Sequence, residues 1–436
     1  MHTHLGSSRR WWFWTGTAAL WACGDAFPTS SDATPADTGA PDAAQSADAA
    51  LPDVPAADLT GSDASAIADA AALDTDLADS APDLAPGDGP GVDASAVDAS
   101  PADTAPPKPV YTFVAAACGA TPTEGAVLAK PPKPYSGGTC PKLVADGKTP
   151  NTFKSGPGTR SFLLLAPADL KPGEKVPVLF GWHWLKAKAK SFIDQGELPA
   201  AVAAQRFVAV MPESKGDIQF EVPLLKDPIA FPWPFLSTSP AARFEEEYTY
   251  FDDMLACVAE QFPIDKECVS VVGVSAGALF AAHLAAARSE QVASLLSLSG
   301  GVKSAQPFVN TFLAAWKPPV RKVPMLVLWG GPNDTCALLN FQAASQSLES
   351  SLDKGGHVTV ECIHNCAHGV PPVDAPPGQS KFAALWQFAW SHPFWLPAGA
   401  TPWAKGLPAA APEWCALGTG MAKMRSGACG PAACPL

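Results

Sequence analysis

Residues 267–288 read ECVSVVGVSAGALFAAHLAAAR, and the fold turns on how that run divides. Its first half, Cys268 to Val274 (CVSVVGV), is almost wholly apolar, as a strand covered on both faces must be. Its second half, Ala276 to Arg288, reads as a buried helix. Between them stands Gly273-Val274-Ser275-Ala276-Gly277, a G-x-S-x-G sequence of which 35 glycines in 436 residues would supply about 0.2 copies by chance. A strand that turns directly into a helix needs small residues on both sides of the turn. Such a turn puts Ser275 on strained backbone with its hydroxyl projecting above the sheet, and aims the helix N-terminus and the Ala276 N–H at a point where an oxyanion would form.

Outward from this elbow the chain alternates between strand and helix patterns. Upstream, Arg160 to Ala166 and Val176 to Trp182 read as strands, Leu198 to Gln205 as a helix and Arg206 to Met211 as a strand. A Pro- and aromatic-rich insertion then runs to about Pro240, and a helix spans Glu245 to Gln261. Downstream come strands Val292 to Leu298 and Val323 to Trp329, helix Leu338 to Asp353, strand His357 to Ile363 and helix Lys381 to Trp390. This alternation predicts an α/β fold with one mostly parallel central sheet and helices on both faces.

A serine hydroxyl is a weak nucleophile at neutral pH, so Ser275 requires a general base and the base an orienting carboxylate. Strand VPMLVLWG runs into Gly330-Gly331-Pro332-Asn333-Asp334, which places Asp334 on a loop at a strand's C-terminal edge, where catalytic groups collect. Strand HVTVECI runs into Asn365-Cys366-Ala367-His368-Gly369, which places His368 equivalently. His364, four residues earlier, is a competing base. Cys362, His364, Cys366 and His368 also alternate, so an extended chain would turn all four to one side, as a zinc site might require. Oxidised cysteines argue against metal: apart from Cys23, ten Cys remain, enough for five disulfides. The spacing suggests Cys118 with Cys140, Cys257 with Cys268, Cys336 with Cys366 to tie acid to base, and two of Cys415, Cys429 and Cys434. No metal or cofactor is expected.

Taken together, FDDMLACVAEQFPIDKECVSVVGVSAGALFAAHLA, the SLSGG after the next strand, WGGPND and the CAHGVPP loop resemble the α/β-hydrolases of the secreted polyhydroxybutyrate depolymerase and feruloyl esterase type. The likeness covers residues 160–392. It implies a serine esterase acting through an acyl-enzyme, with Ser275 attacking, His368 shuttling the proton and Asp334 orienting His368. Asp252 and Asp253 match an acidic pair on the family's helix and are read as structural. The second oxyanion donor would come from the loop after VPVLFGW, which here reads Gly181-Trp182-His183-Trp184-Leu185 in place of the family's His-Gly pair; Leu185 or Trp184 is the candidate. Phe231, Trp233 and Phe235 of the insertion, with Trp182 and Trp184, offer aromatic surface for a polyester, an aryl ester or a sugar, and Trp182 and Trp233 are the candidate substrate contacts. The other class of reading is a noncatalytic, surface-displayed binding protein on the same fold.

The flanks carry an address and a tether. Residues 1–23 join Arg9 and Arg10 to an apolar run too short to span a bilayer, as in an export signal. Its end, Leu20-Trp21-Ala22-Cys23, resembles a bacterial lipobox, in which acyl chains on Cys23 would anchor the protein to a membrane. From Asp25 to Pro109 there are 17 Asp, no Glu, no Arg and one Lys, for a net charge of −16. Asp recurs about every five residues, a period matching neither helix nor strand, so residues 24–109 are expected to be a disordered linker. The whole-chain charge of −13 therefore leaves residues 110–436 at +1, with no basic excess to neutralise nucleic-acid phosphates. A catalytic domain over 110–392, a Cys-containing tail over 393–436 and a monomeric state complete the expectation.

Overall fold

The apolar runs assemble into one nine-stranded sheet. The structure is a computed structural model that describes residues 118–221, 226–304, 306, 309–430 and 434. The expected export signal, Cys23 and the expected linker over 24–109 lie outside the described residues. In chain order the elements are β1 (Asn151–Ser155), β2 (Gly158–Leu165), β3 (Val176–Trp182), α1 (Ala189–Gln195), α2 (Leu198–Gln205), β4 (Val208–Pro212), β5 (Ile218–Phe220), β6 (Ile229–Phe231), α3 (Ala241–Gln261), β7 (Ile264–Val274) and α4 (Ala276–Ala287). There follow β8 (Ser294–Leu298), β9 (Met325–Trp329), β10 (Thr335–Cys336), β11 (Leu339–Asn340), α5 (Phe341–Gly355), β12 (Thr359–Ile363), α6 (Ala383–Ser391) and β13 (Cys415–Leu417).

The sheet order is β1-β2-β4-β3-β7-β8-β9-β12-β13. The run from β4 through β12 is parallel, whereas β1, β2 and β13 join antiparallel. Period-two alternation divides the side chains between two apolar layers. Phe162, Leu164, Val178, Phe180 and Trp182 enter the layer covered by α3, α4 and α5, while Leu163 and Leu179 enter the layer covered by α1, α2 and α6. Helix α4 sits between the sheet and its neighbours, which is why it is apolar all round and buried along nearly its whole length. Helix α3 is amphipathic, with Tyr248, Phe251, Leu255 and Val258 at helical spacing on its buried side.

Residues beyond Pro393 fold back onto this core. Trp403 and Trp414 are buried in the second apolar layer, and Cys415–Leu417 becomes a strand only by pairing with β12. The disulfides differ from the sequence expectation throughout. Cys118 bonds Cys268, Cys140 bonds Cys257, Cys336 bonds Cys434, Cys362 bonds Cys415 and Cys366 bonds Cys429. Neither a Cys118–Cys140 staple, nor Cys257 with Cys268, nor Cys336 with Cys366, nor a pair within the tail is formed. Cys257, Cys268, Cys336, Cys362 and Cys366 each find a partner on a terminal segment, Cys140 and Cys118 before the sheet and Cys434, Cys415 and Cys429 after α6. Asp252 and Asp253 serve the same purpose on α3. Asp252 accepts from Arg288 Nε at 2.9 Å and pairs with Lys133 at 2.7 Å, and Asp253 accepts from the Ser136 N–H at 2.8 Å and the Ser155 hydroxyl at 2.6 Å.

Candidate active site

The elbow between β7 and α4 holds Ser275 at φ 54° and ψ −120°, a conformation that a non-glycine residue keeps only where its surroundings impose it. Close packing imposes it here. A Cβ on Gly277 would lie 1.9 Å from the Trp182 carbonyl oxygen, so glycine lets the first turn of α4 press against the end of β3. The Ser275 N–H is bonded to the Leu298 carbonyl at 2.9 Å, and its own carbonyl accepts from Ala278 and Leu279. The hydroxyl is left to point away from the sheet. Ala276 opens α4, so its N–H stands outside the helix ladder.

Two loops at the C-terminal ends of β9 and β12 meet the serine. The Ser275 hydroxyl donates to His368 Nε2 at 2.9 Å, and His368 Nδ1 donates to Asp334 Oδ1 at 2.6 Å. All three side chains are buried, Asp334 completely. Gly330 makes the approach of the two loops feasible, because a Cβ there would fall 1.8 Å from the Ala367 carbonyl. Asp334 Oδ2 accepts from the Gly330 N–H at 2.7 Å and from the Ser299 hydroxyl at 2.9 Å. Phe341, first residue of α5, stacks on the His368 ring with centroids 4.1 Å apart.

His364 is placed differently. It is fully buried, its Nδ1 accepts from the Cys366 N–H at 3.2 Å, and burial holds its imidazole down to about 4, so it stays neutral. Cys362 and Cys366 are consumed by disulfides, which removes half of the alternating Cys/His set from any metal role.

A cavity of about 270 Å³ opens beside Ser275, lined by His368 but by no Asp, Glu, Lys or Arg side chain. Its walls include Trp184 and Phe192, in contact with each other, Leu298 and Leu328 at the strand ends, and Phe382 and Trp386, in contact with each other. Trp184 thus reaches the cavity, while the Leu185 side chain turns into the core from the same loop. Trp182 and Trp233 do not reach it, contrary to the sequence expectation. Both are fully buried, packed edge to face at 4.9 Å, with Trp233 Nε1 donating to the His183 carbonyl at 2.8 Å. Phe231 and Phe235 are buried as well, packed edge to face on each other at 4.8 Å, so the insertion's aromatics sit in the core instead of presenting themselves to a ligand. The walls that sequence reasoning missed are on α1 and α6. For α1 the signal was present, since Ala189, Phe192 and Ile193 stand at helical spacing and are its buried residues.

No protein-family profile matches the chain, and no curated protein matches it. Solved structures do. The native form of pOPH superposes with a TM-score of 0.51 at 16% sequence identity, covering 65% of this chain and 99% of that one. A serine-to-alanine variant of pOPH in complex with pNPB gives 0.51 at 15% identity, covering 67% and 99%. The chain has the α/β-hydrolase fold. On this fold Ser275, Asp334 and His368 follow in that order, on the loops after β7, β9 and β12.

Proposed function

We propose that this chain is an exported serine esterase that hydrolyses uncharged carboxylic esters, of the polyhydroxyalkanoate polyester type or its oligomers. The observation that carries the reading is the unbroken hydrogen-bond chain from Ser275 through His368 to Asp334. In the reaction, His368 Nε2 takes the Ser275 proton as Oγ attacks the ester carbonyl, and Asp334 stabilises the imidazolium that results. The oxyanion is held by the Ala276 N–H and by an N–H of the loop after β3, at Trp184 or Leu185. His368 then gives its proton to the departing alcohol, and the acyl-enzyme is released by water activated in the same way.

The uncharged, apolar cavity supports an uncharged acyl group, and a net +1 over residues 110–436 gives no long-range steering toward a charged one. The resemblance to polyhydroxybutyrate depolymerases favours a hydroxyalkanoate. The aromatic walls, Trp184, Phe192, Phe382 and Trp386, favour a second reading in which the acyl group is aryl, as in a feruloyl ester. Five disulfides suit an oxidising compartment, and an acylated Cys23 followed by the acidic linker would tether the catalytic domain at a membrane surface. The test is a panel of short-chain acyl, feruloyl and hydroxybutyrate-oligomer esters given to wild type and Ser275→Ala. Turnover of at least one ester by wild type and none by the variant is expected. Equal, background rates on every ester would leave the noncatalytic reading.

A further inference from the structure

A carboxylate taken wholly out of water must have its oxygens satisfied, and how they are satisfied decides which way it faces. Oδ1 of Asp334 accepts from His368. On the other oxygen the Gly330 N–H comes from the acid's own loop, but the second donor, the Ser299 hydroxyl, comes from 35 residues earlier in the chain. Ser299 is the first residue after β8. Its φ is +47°, and its N–H donates to the Leu328 carbonyl at 2.6 Å. The next residue is wedged between helices: a Cβ on Gly300 would sit 2.4 Å from the Ala278 Cβ of α4, and the Gly300 carbonyl accepts from Ser345 Oγ of α5 at 3.1 Å. This clamped reversal holds the left-handed backbone and turns the Ser299 hydroxyl toward the acid.

Building on the esterase reading above, we propose that Ser299 is a positioning residue. Its hydroxyl fixes the rotation of the Asp334 carboxylate so that Oδ1 faces His368 Nδ1, and tempers the negative charge felt by the imidazole. With the hydroxyl gone, one N–H alone locates the outer oxygen, and the carboxylate is free to turn about it. The other groups facing the pair do not replace it. Phe341 from α5 is apolar, His364 beyond β12 is buried and neutral, and the Arg425 guanidinium from the tail is engaged by Asn365 Oδ1 at 2.9 Å.

Two substitutions separate the hydroxyl from the backbone. Ser299→Gly deletes the hydroxyl and is at ease at positive φ, whereas Ser299→Ala deletes it and keeps the Cβ. Both are compared with wild type in the full chain on one chromogenic ester across pH, with rates normalised to the fraction of sites that a fluorophosphonate titrates. The expected result is a fall in kcat of about tenfold in both variants, with KM within about twofold. Wild-type kcat in both variants would overturn the proposal, as would an effect confined to Ser299→Ala or a rise in KM that accounts for the whole loss. A wild type that neither turns over ester nor takes the label removes the esterase reading and this proposal with it. An active wild type with equally active variants removes this proposal alone.

Discussion

Ser275, Asp334 and His368 were legible one at a time because each stands on a short loop directly after an apolar strand, where local sequence fixes the position. Their partners were not legible. Ser299 enters the site through a reversal held by Ala278 and Ser345, and nothing adjacent in sequence says that its hydroxyl faces Asp334. Trp182 and Trp233 were misplaced for the same reason, since only the packed structure shows that they bury each other. Sequence left His364 and His368 as rival bases, and the geometry distinguishes them. His368→Asn is expected to lower kcat by about a thousandfold or more. His364→Gln should keep it within about threefold, although it perturbs a buried site. Steady-state rates normalised to folded protein check both, and the reverse ranking would make His364 the base.

At the scale of elements, β3, β7, β8, β9 and β12 were readable from apolar runs alone, because strands buried on both faces need no partner to look like strands. The edge strands were not. Cys415–Leu417 carries no pattern of its own and is a strand through its pairing with β12. The junction of β7 with α4 depends on Gly277, whose missing side chain admits the Trp182 carbonyl. Gly277→Ala must push the loop after β3 away, at a cost of about 1–3 kcal/mol in stability and a matching loss of labelling. Unfolding by urea with labelling in parallel measures both. Helix α5 and strand β12 make a second prediction. Glu349 is buried, and burial, with the Glu361 carboxylate nearby, pushes its carboxyl up to about 8. The folded state then holds a proton that the unfolded chain releases near 4.5, so stability declines as pH rises from 4.5 toward 8. Glu349→Gln keeps an acceptor for Trp329 Nε1 and should flatten that decline, seen as a Tm several degrees above wild type at pH 8 and little change at pH 5.

Over the whole molecule the −13 comes from the Asp-rich residues 25–109, and the histidines govern the acid side of stability. His183, His283, His364 and His392 are each held down to about 4 by burial. The unfolded chain binds those protons near 6.5 and the folded one does not, so stability is lost as pH falls from 6.5 toward 4, at about 1.4 kcal/mol per pKa unit for each group. Calorimetry across that range should show Tm falling steadily. The tail from Pro393 onward, read in sequence only as a clamp or an appendage, secures the loops that carry Asp334 and His368. Cys366, two residues before His368, bonds Cys429, and Cys336, two after Asp334, bonds Cys434. Asn365 is gripped by Arg425 and by the Gly427 carbonyl. Replacing Cys366 and Cys429 together by serine is expected to cost about 2–4 kcal/mol and to lower kcat more than it raises KM. Unchanged kinetics would confine the tail to stability.

The claim on which the rest depends is that Ser275 is an activated nucleophile, and the direct measurement is peptide mapping of the full folded chain after exposure to a fluorophosphonate. One adduct is expected, on Ser275, formed in wild type and lost when His368 is replaced by Asn. A folded chain that takes no adduct at Ser275 would contradict it.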